Sequence, residues 1–266
     1  MAQIIAVHSF RGGTGKSNLI ANMASTMALG GQRVGIIDTD IQSPGIHVIF
    51  GLNENKINRA LNDYLWGLCD IKDAAYDVTN ALLSDQLNTS TGSLYLVPSS
   101  IKAGEIARVL REGYDVVRLN DGFQELIHTL KLDYLFIDTH PGLNEETLLS
   151  IGISNVLVII LRPDNQDFQG TAVTVDVARK LRVPKMLLVI NKALPSLNFP
   201  DLQEQVEKIY NVSVAGILPL SEEVVQLASN GIFSLHYPQH LITQTIKEMT
   251  EKIAGVVEKQ EVGTKS

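Results

Sequence analysis

The chain has one cysteine, one tryptophan and only 6% aromatic residues. Cys69 alone cannot close an intrachain disulfide, and it cannot supply a CxxC pair for a metal or redox centre. No apolar run approaches the ~18–20 residues of a membrane-spanning helix, and the longest, residues 155–161, is strand-sized. The opening Met1-Ala2-Gln3-Ile4-Ile5 has no basic segment leading into a long apolar stretch, so no signal peptide is expected. Basic residues are also in deficit, 22 Lys+Arg against 29 Asp+Glu, for a net charge of −7. That balance disfavours nucleic-acid binding driven by bulk charge and leaves only a local basic patch open. The expectation is a soluble, cytoplasmic protein. Repeats, low-complexity tracts and long linkers are absent as well.

What is present is the composition of a globular domain, with 45% hydrophobic residues in a chain of 266. This length suits one α/β unit with a substantial core. Short, β-branched apolar runs recur at residues 4–7, 34–37, 94–97, 134–137, 156–161, 186–190 and 212–218. Continuous apolar runs mark strands buried on both faces. Helical segments are expected between them at 16–30, 105–130 (as two stretches), 168–181, 202–210 and 222–229. Strands alternating with helices imply right-handed crossovers and a parallel sheet. The predicted architecture is therefore α/β, a single doubly wound, mostly parallel sheet with helices on both faces. It spans residues 1–258 and is followed by a flexible polar tail, 259–266. Residues 53–93 are the least regular, and Trp66 and Cys69 within them are expected in the core.

The strongest local signal is Arg11-Gly12-Gly13-Thr14-Gly15-Lys16-Ser17, placed directly after the first strand and leading into the helix expected over 16–30, whose first turn holds Lys16, Ser17 and Asn18. It nearly fits the phosphate-loop pattern G-x-x-x-x-G-K-[ST], with Phe10 at the first glycine position. Glycines let backbone N–H groups turn inward around phosphate oxygens, and the helix N-terminus adds its positive dipole end. Lys16 would reach the β- and γ-phosphates, and the Ser17 hydroxyl would ligate Mg²⁺. Asp38 and Asp40 follow an apolar strand, where a shared face near its carboxyl end is expected. Asp138 closes another such strand, where ligands bind in open α/β sheets.

The loop resembles the deviant Walker A sequence KGGxGK[ST] of the MinD/ParA family of P-loop ATPases. Ile36-Ile37-Asp38-Thr39-Asp40 resembles that family's hydrophobic-DxD segment, and Phe136-Ile137-Asp138-Thr139-His140-Pro141-Gly142 resembles its Walker B and switch II. The likeness continues through Val189-Ile190-Asn191-Lys192 and Gly216-Ile217-Leu218-Pro219. It implies ATP and Mg²⁺ as cofactors, with the phosphate-loop residues 11–18 around the nucleotide. Ser17, Asp38 and Asp138 are implied at the metal, Asp138 through a water. By the same resemblance Lys16, Asp40 and Arg11 are the catalytic candidates, Asp40 holding the attacking water. An ATP-sandwiched homodimer, slow hydrolysis and a protein activator or cargo adaptor are also implied.

The sequence departs from the family at two places. The family's first motif lysine, which reaches the partner's phosphates, is Arg11 here, and its planar fork of donors suits phosphate in a different shape. The usual first proline of the switch run is His140, expected to be a structural substitution. For the base, Asn191-Lys192-Ala193-Leu194 lacks the aspartate that reads guanine in N-K-x-D. Asn191 and Pro219 are thus expected around adenine.

Outside the motifs, Arg179-Lys180-Leu181-Arg182 with Lys185 is the tightest basic cluster and reads as a solvated helix face, with nucleic-acid contact not favoured. Ile242, Ile246, Met249, Ile253, Val256 and Val257 form a stripe opposite a charge-balanced face. That stripe is expected to pack on the domain rather than lie in a membrane surface, which would want a basic face. Two alternatives remain: a metal-cluster carrier ATPase of the Mrp type, for which one cysteine is too few, and a nucleotide-gated binding module with negligible hydrolysis. A bacterial tyrosine-kinase-like domain is disfavoured, because the tail has no tyrosine.

Overall fold

The computed structural model describes residues 2–82 and 92–261, with side chains through Gly255. The described residues form eight strands: β1 (Gln3–His8), β2 (Arg33–Asp38), β3 (Tyr76–Asp77), β4 (Ser93–Val97), β5 (Tyr134–Asp138), β6 (Val156–Leu161), β7 (Lys185–Ala193) and β8 (Val214–Pro219). They make one sheet in the order β3-β4-β2-β5-β1-β6-β7-β8. Every pairing is parallel except β3 with β4. The seven apolar runs became β1, β2 and β4–β8, while the two-residue edge strand β3 was not predicted.

The helices are α1 (Lys16–Leu29), α2 (Ile46–Ile49), α3 (Leu61–Leu65), α4 (Ala103–Glu112), α5 (Val116–Leu130) and α6 (Glu145–Ile153). After them come α7 (Asn165–Lys180), α8 (Phe199–Tyr210), α9 (Glu222–Leu227), α10 (Phe233–His236) and α11 (Leu241–Glu261). Alternation along each strand sorts the layers. Ile5 and Val7 point to one face, where they pack with α1 and α11. Ile4 points to the other face with α5, and Ala6 with α7. Both faces are covered, as the continuous apolar strands require.

Helix α1 is buried over most of its surface because it lies between the sheet and α11, and it ends at Gly30 followed by Gly31 at φ 94°. The α11 stripe is buried as expected at Ile242, Ile246, Met249 and Ile253. The side chains of Val256 and Val257 lie outside the described residues, as do residues 262–266 of the expected tail; the α11 backbone runs to Glu261. No helix among the described residues is long and apolar enough to cross a membrane.

One local expectation needs correction, and one longer helix was not expected. Trp66 and Cys69 are only partly buried at the margin of the second core, with the Arg108 guanidinium 4.2 Å over the Trp66 ring. The guanidinium covers one face of the indole there, so a fully apolar pocket is not needed. Helix α6 was not predicted, and it is defined by Asn144, whose side chain accepts the Thr147 N–H at its first turn.

Candidate active site

The carboxyl ends of β2, β5 and β1 lie side by side, so Asp38 sits level with Asp138, and Asp138 with Val7. Three hydroxyls fasten these ends together. Ser99 Oγ donates to the Asp38 carbonyl at 2.7 Å, Thr39 Oγ1 to the Asp138 carbonyl at 2.9 Å, and Thr139 Oγ1 to the Val7 carbonyl at 2.9 Å. Each buried carbonyl is thereby satisfied just where the ladder runs out. Sequence reasoning missed this brace, though a Thr directly after each strand-ending aspartate was its visible trace.

Asp38 and Asp138 are both fully buried. Asp38 Oδ1 accepts the Asp40 N–H at 3.0 Å, while Oδ2 has no partner. Burial pushes the Asp38 carboxyl well above its usual range, and the charges of Asp138 and Asp40 add to the shift. Asp138 is pushed up to about 6, chiefly by burial, while Lys16 and the Ser17 hydroxyl pull it back. Neither Asp138 oxygen has a well-formed hydrogen bond. Buried carboxylates with oxygens left unpaired, next to a lysine and a serine hydroxyl, fit a hard cation. Among the described residues no group of three or more His, Cys, Asp or Glu could cage a metal, so a cation here needs further oxygens from a ligand or water.

Asp38 and Asp40 do not share a strand face as expected. β2 ends at Asp38 and the chain turns at once, which lets the Asp38 carboxylate cap the Asp40 N–H. Asp40 instead meets His140: the imidazole Nδ1 donates to Asp40 Oδ1 at 2.7 Å. The same oxygen accepts the Ser43 N–H at 3.2 Å. His140 thus contacts a candidate catalytic carboxylate, a role its reading as a structural substitution did not include.

The phosphate loop is braced from β7. Asn191 Nδ2 donates to the Thr14 carbonyl at 2.7 Å, and Lys192 Nζ donates to the Gly13 carbonyl at 2.7 Å. Asn191 Oδ1 is also engaged, by the Lys192 N–H at 2.9 Å. Asn191 therefore holds the loop as well as lining the neighbouring cavity, and Lys192 is a contributor the sequence reasoning did not single out. Gly15 is required at its position, since it has φ 95° and a Cβ there would fall 2.6 Å from Asn191 Nδ2. Lys16 is buried behind the loop, beside Ser17 at the start of α1. Gly12 and Gly13 precede them, Gly13 at φ 75°. Phe10, in the place of the motif's first glycine, rests against Gly170 of α7, where any Cβ would strike its ring.

Arg11 is not a free charge at the loop edge. Its guanidinium lies 3.4 Å from Asp167 and 3.6 Å from Asp164, at 40% exposure. Arg162 grips the same Asp167 with Nε at 2.9 Å and Nη2 at 3.0 Å. Burial works to raise the Asp167 pKa, and the hydrogen bonds of Arg162 with the charges of Arg162 and Arg11 outweigh it, holding the carboxyl below its ordinary value.

Beside the loop opens a cavity of about 360 Å³, within the range of small-molecule sites. Asn18, Asn191, Pro219, Leu220, Phe233 and Ile246 are among its walls. A flat apolar ring could enter it from the phosphate loop. The basic cluster of α7 lies elsewhere in the fold and is partly spent: Arg179 donates to the Tyr210 carbonyl and pairs with Asp176.

A glycine-rich loop on the central strand of a doubly wound sheet, feeding a helix and flanked by strand-end carboxylates, defines a P-loop nucleotide-binding protein. A family model described as an AAA domain matches residues 2–187. The chain belongs to that family, and within it to the MinD/ParA group of P-loop ATPases. It is 28% identical over 257 residues to an uncharacterised ATP-binding protein of Methanocaldococcus jannaschii, covering 96% of this chain and 89% of the relative. It is 29% identical over 239 residues to an iron-sulfur cluster carrier protein of Pseudomonas fragi, covering 86% and 76%. The fold matches the septum site-determining protein MinD of Pyrococcus horikoshii, solved with Mg-ADP, at a TM-score of 0.77 and 18% identity over 97% and 98% of the two chains.

Proposed function

We propose that this protein is an ATP-driven switch that binds ATP with Mg²⁺, dimerises around it and returns to monomers on hydrolysis. The observation that carries the proposal is the gathering of Lys16, Ser17, Asp38, Asp40 and Asp138 at the carboxyl ends of the central strands. Lys16 holds the β- and γ-phosphate oxygens, helped by the backbone N–H groups of residues 12–17. The Ser17 hydroxyl and, through water, Asp138 hold the Mg²⁺, with Asp38 behind them as the buried negative support. When bound, the Mg²⁺ neutralises charge on the phosphates. Asp40 orients the attacking water. The oxygen of that water bonds to the γ-phosphorus while the bond from that phosphorus to the β–γ bridging oxygen breaks, ADP leaves with the electron pair, and the water's proton passes to the released phosphate. Asn18, Asn191 and Pro219 frame the adenine.

Arg11 is assigned to the partner's phosphates. In the single chain Asp164 and Asp167 hold it, so dimerisation exchanges two carboxylates for a phosphate. A protein activator or cargo adaptor would raise a slow basal turnover. The cluster-carrier alternative, which the names of two relatives also suggest, is weakened by Cys69. Burial and the Asp63 charge raise that thiol's pKa, which disfavours the thiolate a metal needs.

Turnover of ATP by the protein and by its Lys16→Ala and Asp40→Ala variants tests the proposal. The intact protein should release ADP and phosphate with Mg²⁺. Lys16→Ala should lose nucleotide binding, and Asp40→Ala should bind ATP yet turn it over at least about 100-fold more slowly, the scale of losing a catalytic group. ATP binding without any hydrolysis by the intact protein would leave a binding module instead.

A further inference from the structure

We infer that His140 is the positioning residue for Asp40, fixing which carboxylate oxygen faces the attacking water. This rests on the reading of Asp40 given above. The two residues are 100 positions apart and meet only because β2 and β5 are neighbours in the sheet. Their side chains are 19% and 15% exposed, so the 2.7 Å contact is made largely out of solvent.

The histidine is itself held. Thr147 Oγ1 of α6 donates to the His140 carbonyl at 3.3 Å, and the preceding Thr139 is tied to β1 by its hydroxyl. The imidazole is therefore delivered by an anchored backbone rather than by a loose loop. On the other side, Asp40 Oδ1 takes two donors, His140 Nδ1 and the Ser43 N–H. Oδ2 accepts no hydrogen bond from the described residues. A carboxylate gripped at one oxygen by two donors of different origin cannot rotate freely, and its other oxygen is presented in one direction. Both the neutral Nδ1–H tautomer and the imidazolium carry the required proton, so the contact does not depend on the charge of the ring.

The opposing view is that His140 merely fills the loop after β5. The two differ in where a substitution acts. Losing a positioning contact lowers kcat and leaves ATP affinity alone, because the hydrogen bonds of Asp40 go to Asp38, Ser43 and His140 rather than to the phosphate loop, and Asp40 does not line the cavity. A misplacement of ~1 Å is worth up to about 100-fold in rate. Losing a loop filler would disturb affinity or stability instead.

The test is single-turnover hydrolysis of Mg-ATP together with the ATP Kd, measured for the intact protein and for His140→Ala, His140→Asn, Asp40→Ala and the Asp40→Ala/His140→Ala double variant. Asn places an amide N–H near the position of Nδ1. The expected result is a fall in rate of about 10- to 100-fold for His140→Ala with Kd within about twofold, recovery of most of the loss by His140→Asn, and a double variant no slower than Asp40→Ala. An unchanged or faster His140→Ala, a loss confined to Kd, or His140→Asn as slow as His140→Ala would overturn the inference. If the intact protein itself does not hydrolyse ATP, the assigned reaction fails, an outcome distinct from each of these. If His140→Ala does not fold, the same comparison is made between His140→Asn and His140→Phe, which keeps the ring without the donor.

Discussion

His8 ends the central strand, fully buried and hydrogen-bonded through Nδ1 to Thr139 Oγ1 at 2.9 Å. Because the Thr139 hydroxyl proton goes to the Val7 carbonyl, the histidine proton sits on Nδ1 and the unpartnered Nε2 is bare. Burial, then the charges of Lys16 and His140, lower its pKa from 6.5 to about 3. Between those pH values the unfolded chain binds a proton that the folded chain refuses. The stability tied to neutral His8 is therefore complete above pH 6.5 and lost as pH falls toward 3, by at most ~1.4 kcal/mol per pH unit. His8→Asn keeps a donor to Thr139 without the titration. Urea unfolding between pH 7 and 4.5 should show the advantage of the native residue over Asn shrinking steadily as pH falls; parallel curves would refute this. The raised carboxyls of Asp38 and Asp138 act in the opposite direction, but in both proteins alike, so the difference isolates His8. At this scale the sequence exposed Lys16, Ser17 and the strand-end aspartates, because their residue types and neighbours are local signals. It hid the pairing of His140 with Asp40, of Arg11 with Asp167 and of Lys192 with Gly13, since each joins residues from separate strands or loops.

Among the elements, strands buried on both faces were the most legible, because burial alone demands continuous apolar runs. Helix α6 was obscured by Ser150 and Gly152 within nine residues, which weaken its propensity, and it depends on its cap and on contact with α5. Short α2 and α3 and strand β3 lie in the irregular segment 53–93 or just before it, where tertiary contacts override local preference. Helix α11 shows the opposite case, since its stripe was readable and its destination is now clear. Met249 is fully buried over Gly216 of β8, where a Cβ would fall 2.7 Å from its sulfur, and Lys252 Nζ donates to the Ala215 carbonyl at 2.8 Å. Ile242, Ile246, Met249 and Ile253, the described part of the stripe, are spent on the core in this way. Met249→Ala should cost about 2–5 kcal/mol in chemical denaturation, the range for a buried methionine truncated in a packed core. A loss below about 0.5 kcal/mol, the scale of a surface substitution, would mean that α11 is not docked as described.

For the whole molecule, the order β4-β2-β5-β1-β6 matters most, because it sets the strand-end carboxylates Asp38 and Asp138, with Asp40 just beyond β2, beside the phosphate loop. The composition arithmetic pointed to one α/β unit, and the ordered motifs identified its family; the strand order itself needed the structure. Arg11 links this site to what lies outside the chain. Its two aspartates hold it within the monomer, and a second ATP-loaded copy would offer it a phosphate instead. In the proposed switch, an ATP-dependent dimer is the step on which the cycle depends. Its most direct test is the molar mass in solution of the Asp40→Ala variant with Mg-ATP, with Mg-ADP and without nucleotide. The account predicts twice the monomer mass with ATP and the monomer mass in the other two conditions. A monomer in all three, with ATP shown to be bound, would contradict it.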